Sequence, residues 1–161
     1  MSAAKQPAGY LIAGEADIAS PKLRELWRHW LALHRGGNPP TRTDFDPAMV
    51  PLLLPYLMLV DVVAGGRDFR YRVVGTHVAR IHGADNTGRL VSQAFPSPDA
   101  AYVMLLYRWA VETRAAVGFR GEPLRRDQRV LEYEIVHLPL ADGDGQIVKV
   151  LAGLEFTSMA T

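Results

Sequence analysis

Between Phe69 and Gly88 the chain reads FRYRVVGTHVARIHGADNTG, and its hydrophobic period changes partway through. Phe69, Tyr71 and Val73 alternate with Arg70 and Arg72, the period of a half-buried strand. At Gly75-Thr76 the alternation stops. Thr76 can accept from free backbone N–H groups and open a short helix over His77–Ile81, which Gly83 ends. Asp85, Asn86, Thr87 and Gly88 then favour turns and caps, so short elements must fold back over whichever sheet contains Tyr71. Helices laid across a sheet face in this way leave either a pocket or a packed seam.

A chain of 161 residues, 48% hydrophobic and 22% charged, predicts one domain with a sizeable core. Lys and Arg total 18 against 17 Asp and Glu; the net charge of +1 supplies no field toward nucleic acid or anionic lipid, and neither is expected as a partner. Arg120, Arg125, Arg126 and Arg129 form a local basic cluster, but Glu122 and Asp127 interrupt it, and a solvated loop is the expectation. With no cysteine, disulfides, Cys-ligated metal, thiol catalysis and thiol-linked chromophores all drop out. The N-terminus lacks the apolar core of a signal peptide, and no run approaches the roughly 18 residues of a membrane span. A cytoplasmic location is the simplest expectation.

Residues 1–19 are weakly patterned: Tyr10–Ala13 suits either an added edge strand or a loosely held arm, and a flexible arm is the working expectation. Ser20-Pro21 is a capping hydroxyl followed by proline at the first helical position. From there Leu23, Leu26, Trp27, Trp30, Leu31 and His34 share one face of an amphipathic helix over 21–35, which Gly36-Gly37 ends. That stripe either packs on the domain body or forms a self-association surface, with Leu23, Trp27 and Trp30 as its contacts. Asp46-Pro47 opens a short helix, and Asp44 holds the turn before it, so this carboxylate pair is engaged locally. Leu57–Val63 and Phe69–Val74 read as strands joined through Ala64–Asp68. Leu90–Phe95 suits one helical turn. Asp99 begins the longest helix, to about Arg114, and its apolar positions cover more than one stripe. Three strands follow, at Ala116–Pro123, Val130–Leu140 and Ile147–Phe156, the last two joined by Asp142-Gly143-Asp144-Gly145. Strands with helices inserted between the second and third predict an α+β fold with helices on one sheet face, in a single domain over 20–161.

Three segments, RTDFDPAMVPLLLPYLMLVDV, FRYRVVGTHVARIHGADNTGRLVSQAF and LEYEIVHLPLADGDGQIVKVLAGLEF, resemble the PAS-domain family of short stand-alone proteobacterial proteins. The resemblance runs from about Pro21 to Phe156. It implies a five-stranded antiparallel sheet of order 2-1-5-4-3, with the helices of residues 76–114 enclosing a cavity. It also implies a sensory or regulatory role and a homodimer through flanking helices such as Lys22–Arg35. It brings no activity, because fold is weak evidence for function.

Strand alternation nominates the cavity walls: Phe69, Tyr71 and Val73 on the second strand, Leu131, Tyr133 and Ile135 on the fourth, with Leu105 and Trp109 approaching from the long helix. Filling the core is the alternative role for each. Tyr71 and Tyr133 carry hydroxyls that need partners when buried, which suits them to orient a polar ligand group. His77 and His82 lie near the expected cavity, and one well-placed imidazole is enough to hold a haem. As a metal pair His77 and His82 fail, because five residues on a helix separate them by about 140°. His82, just before Gly83, is expected to favour the helix C-terminus with its charge. His137 alternates with Tyr133 and Ile135. Ser92, Ser97 and Ser158 lack a strained-turn context, and no catalytic residue is assigned. Gly143-Asp144-Gly145 is flanked by acids, which would repel phosphate.

Three functions follow as expectations. The first is a non-enzymatic sensory module that binds a small apolar or mixed ligand and signals through dimer or partner contacts, with no output domain after Phe156. The second is a ligand-free dimerisation or interaction adaptor working through Trp27 and Trp30. The third is a small cavity enzyme of isomerase or hydratase type, using groups such as His82 or Asp85. No residue pattern names a cofactor.

Overall fold

The computed structural model describes residues 9–122 and 130–159. Its centre is one antiparallel sheet of six strands: β1 (Gly9–Ile12), β2 (Leu57–Val63), β3 (Asp68–Val74), β4 (Val117–Gly121), β5 (Val130–Ala141) and β6 (Ile147–Met159). The spatial order is β1-β4-β5-β6-β2-β3. The expectation of five strands is corrected to six by Gly9–Ile12, which pairs with Gly121–Gly118 and satisfies the backbone edge that β4 would otherwise expose. Ile12 and Ile18 are buried, so residues 9–19 belong to the domain and are not a flexible arm. Residues 1–8 of that expected arm lie outside the described residues, as do Arg125, Arg126 and Arg129 of the basic cluster.

Four helices flank the sheet: α1 (Pro21–Ala32), α2 (Thr76–His82), α3 (Val91–Ala94) and α4 (Ser97–Thr113). Both faces of the sheet are covered, not one. Period-two alternation along the two longest strands builds the two layers. On β5, Tyr133 and Ile135 join a core with Met58, Val60, Phe69, Tyr71, Leu106 and Tyr107 beneath α4. Val136, Leu138 and Leu140 join Leu23, Leu26, Trp27 and Trp30 of α1 on the opposite side.

The cap of α1 matches its sequence: the Ser20 hydroxyl accepts from the Leu23 N–H at 3.3 Å, with Pro21 in the first position. The helix stops at Ala32, short of residue 35. Its last turn tightens as the Leu33 and His34 N–H groups bond back three residues, and the Gly36-Gly37 turn then returns the chain to Asn38. Leu23, Trp27 and Trp30 are between 1% and 7% exposed, packed within this chain. The Trp30 indole N–H donates to the Pro139 carbonyl at 2.9 Å. These residues, expected as dimer contacts, therefore form core, because the second sheet face needed an apolar cover. Gly153 permits the approach: a Cβ there would lie 2.8 Å from Cδ2 of both Leu23 and Leu26.

The start of α1 is anchored by Glu134, which is fully buried on β5. Its carboxylate accepts from the Ala19 and Ser20 N–H groups at 2.8 Å each and from the Arg120 guanidinium. Arg120, expected in a solvated loop, also donates to the Asp17 carbonyl and the Tyr10 hydroxyl, joining β1, the segment before α1 and β5.

The stretch after β3 folds back as its turn residues require. Asp85 accepts from the Thr87 N–H and hydroxyl, and the Tyr71 backbone bonds to Gly88 and Arg89. Thr76 begins α2 without capping it; Gly75 is the cap residue. Gly75 sits so close to the preceding 3₁₀ turn (Pro51–Tyr56) that a Cβ would lie 2.4 Å from the Pro55 carbonyl oxygen and 2.6 Å from that of Leu54. Asp46 caps the 3₁₀ turn Pro47–Met49 through the Ala48 N–H, and Asp44 accepts from the Thr41 N–H.

Glu134→Ala is expected to destabilise the fold by about 3 kcal/mol in urea unfolding, because it leaves the Ala19 and Ser20 N–H groups without their acceptor and removes the buried carboxylate partner of Arg120. Gly75→Ala should cost about 1–3 kcal/mol, since the colliding atoms are backbone and cannot swing aside. Unchanged urea midpoints would contradict either assignment.

Candidate ligand-binding cavity

The cavity forms where α2 and α4 cross the β5 side of the sheet. On α4 the inward stripe is Val103, Leu106, Tyr107 and Ala110, at spacings of three and four. Val103, Leu106 and Tyr107 roof a space of about 60 Å³ together with Tyr102, Ile81, His82 and Phe95. The sheet supplies the floor: Met58, Tyr71, Tyr133, Ile135, His137 and Leu154. A benzene ring is held by an apolar cavity of about 150 Å³. A haem or flavin therefore does not fit between these side chains as they are packed.

Most of the wall is hydrocarbon or aromatic ring, yet six lining residues carry a hydroxyl or an imidazole. Burial pushes the Tyr71 and Tyr107 phenols upward in pKa. The Tyr107 hydroxyl donates to the Met58 sulfur at 3.8 Å. Burial likewise raises Tyr133 and Tyr102.

The two histidines are held neutral at pH 7. Burial lowers His82 to about 4; its ring packs against Phe95 at 5.3 Å and Tyr71 at 6.0 Å. Its expected charge at the end of α2 is therefore corrected: desolvation outweighs the helix dipole, and Gly83, at φ 75°, ends the helix. Burial also lowers His137 to about 4, partly opposed by its bond to Val117. His137 Nδ1 lies 3.2 Å from the Val117 carbonyl oxygen, and its ring meets Tyr107 edge-on at 5.0 Å. Among the described residues no group of three His, Asp or Glu side chains is placed to hold a metal ion.

Of the residues expected to contact a ligand, Tyr71, Tyr133 and Ile135 line the cavity. Phe69 is buried one layer behind, against the Tyr107 ring at 5.3 Å. Val73 points away and is 52% exposed. The cause is a bulge: Leu59 pairs with Val73 but Val60 pairs with Tyr71, so Arg72 is an extra residue and the strand changes face beyond it. Leu105 and Trp109 are 53% and 42% exposed, on the outer stripe of α4. His77 sits outside the wall between the rings of Tyr56 and Phe156. The Leu131 side chain lies outside the described residues.

Sequence reasoning placed His82 near the cavity, missed Tyr102, Tyr107 and Phe95 as wall residues, and gave His137 little weight. The usable signals were the β5 alternation, which carries Tyr133 and Ile135 on to His137, and the three-four spacing of Val103, Leu106, Tyr107 and Ala110.

The histidines make stability depend on pH with a definite sign. The unfolded chain takes up their protons near 6.5 and the folded chain only near 4, so the stabilisation is complete above about 6.5 and is lost as pH falls toward 4. At pH 5 this amounts to about 2 kcal/mol per histidine. Urea midpoints at pH 7 and pH 5 should show the loss, and His82→Phe should remove about half of it. A midpoint that does not move between these pH values would refute the assignment.

Comparison with known proteins places this architecture. A family model for the PAS domain matches residues 18–155. A solved structure of an RNA-binding light-oxygen-voltage receptor resembles the chain at a TM-score of 0.49 and 16% identity, over 97% of this chain and 40% of that one. No curated protein matches the sequence. Since the family model spans most of its length, the chain belongs to the PAS-domain family.

Proposed function

We propose that this PAS domain is a sensory module that takes a small, mostly apolar molecule into the cavity beneath α4 and acts by binding it. The observation that carries this reading is the cavity itself: an apolar space of about 60 Å³ with neutral imidazoles and phenols in its wall. Such a mixture of hydrocarbon and a few placed polar groups is what small-molecule sites share. Among the described residues no carboxylate lines it, and both histidines are too weakly basic at pH 7 to favour proton abstraction.

A route outward supports the sensory reading. Tyr133, Ile135 and His137 face the cavity from β5, while Glu134, between them in sequence, faces the other way and holds the Ala19 and Ser20 N–H groups. A shift of β5 that accommodates a ligand therefore acts on the first turn of α1 through two hydrogen bonds. Leu23, Trp27 and Trp30 already pack inside the chain, so contacts with a second copy or a signalling partner fall on other surfaces.

Xenon tests the cavity without presupposing a ligand, because it fills apolar space and makes no hydrogen bonds. Under xenon pressure, the methyl resonances of Ile81, Val103, Ile135 and Leu154 should shift saturably, and amide exchange at Ala19 and Ser20 should change. Val103→Phe, which fills the space from the helix side, should abolish the response while the protein still unfolds cooperatively. Wild-type protein with no saturable shift would overturn the cavity reading; saturation without altered exchange at Ala19 and Ser20 would overturn the route.

A further inference from the structure

Independently of whether the cavity is filled, we infer that the outer face of α4 pairs with the same face of a second copy of this chain, antiparallel and about a two-fold axis through Leu105. Exposure defines that face. Pro98, Ala101, Leu105, Trp109 and Glu112 are exposed, whereas Ala100, Leu106, Tyr107 and Ala110 of the same helix are buried. At about 100° per residue the five exposed positions fall within about 80° of arc, so they form one stripe along the helix. Leu105, at 53% exposed, and Trp109, at 42%, set an apolar surface in water at its middle. The cavity roof uses the opposite side of α4 and leaves this stripe without a cover among the described residues.

The pattern of the stripe says what covers it. Ala101 and Trp109 lie four residues to either side of Leu105, and Pro98 and Glu112 lie seven, so the spacing reads the same in both directions. A two-fold axis turns that spacing into contacts: Leu105 meets Leu105 of the partner subunit, and each Ala101 meets Trp109 of the partner subunit. Isologous pairing requires this reciprocity. The sizes also match, because a methyl group faces an indole and helix axes about 8–10 Å apart can close over both. A parallel copy would set indole against indole at one end and leave a gap between methyl groups at the other. Glu112, the one charged residue of the stripe, comes to the first turn of the partner helix, where backbone N–H groups lack intrahelical acceptors. Five residues a side fall well below the roughly 20–30 of a standard interface, so the pair is weak and half dissociates on the order of 100 µM.

Sedimentation of the full chain from about 10 µM to about 1 mM should show a monomer passing to a dimer. Leu105→Arg should abolish the association with the urea midpoint unchanged, since the position is exposed, while Leu52→Arg, at a residue 83% exposed elsewhere on the surface, should leave it intact. The absence of cysteine allows the geometry to be read directly. Under mild oxidation Leu105→Cys should form a disulfide-linked dimer at least tenfold faster than Leu52→Cys, because only a residue on the axis meets its own copy. Ala101→Cys and Trp109→Cys should cross-link when mixed and not alone, since the two-fold sets each about 12 Å along the helix from its own copy, beyond disulfide reach. A monomer throughout the range, a dimer that survives Leu105→Arg, or Leu105→Cys oxidising no faster than Leu52→Cys would each overturn the inference. Self-cross-linking of Ala101→Cys at the rate of the mixture would overturn the antiparallel order.

Discussion

A carboxylate with no solvent exposure sits in the middle of this sheet, and much of the architecture follows from how Glu134 is satisfied. Burying an acid is tolerable only when charge and lone pairs are matched. Arg120 supplies the charge from β4, and the Ala19 and Ser20 N–H groups supply two further donors from the segment entering α1. The pair therefore does more than neutralise itself. It holds β1 against β4 through Arg120 and Tyr10, and it fixes where α1 begins. From that point the helix lays Leu23, Leu26, Trp27 and Trp30 over the back of the sheet. A sheet that would otherwise offer water an apolar face is closed on both sides.

Closing the back face leaves the other side free to be imperfectly packed. There the polar groups are uncharged: four phenols and two imidazoles share a wall with aliphatic side chains. Burial raises the phenols and lowers the imidazoles in pKa, so at neutral pH none carries charge into the low-dielectric interior. The chemistry left to such a wall is hydrogen bonding and shape. That suits recognition better than proton transfer, and it sets a size limit that bulky ring cofactors exceed. The same strand serves both sides: β5 presents Tyr133, Ile135 and His137 to the cavity and Glu134 to the anchor.

Strand and helix placement was largely legible in the chain because period and punctuation are local properties. The change of period at Gly75, the Ser20-Pro21 start and the Asp142–Gly145 turn each mark an element boundary with the chemistry of one or two residues. The site was legible in part. Tyr71, Tyr133 and Ile135 line the cavity as strand alternation implied, whereas Val73 does not, because one inserted residue at Arg72 reverses every side chain after it. Leu105 and Trp109 failed for a different reason. α4 carries two apolar stripes, and a helical period alone does not say which one meets the sheet.

By itself, then, the sequence determined a nearly charge-balanced, cysteine-free α+β domain: the element types, their order and the residues able to be buried. Those follow from local dihedral preferences and from hydrophobic spacing, which need no knowledge of distant contacts. Tertiary structure alone decided that the Trp27 and Trp30 stripe is core, that Gly9–Ile12 completes the sheet, and that His82 and His137 are neutral wall residues. Each of these depends on burial by segments far away in sequence. A histidine's charge is set by how much water its neighbours exclude, and an apolar stripe is interior only when some other surface lacks a cover.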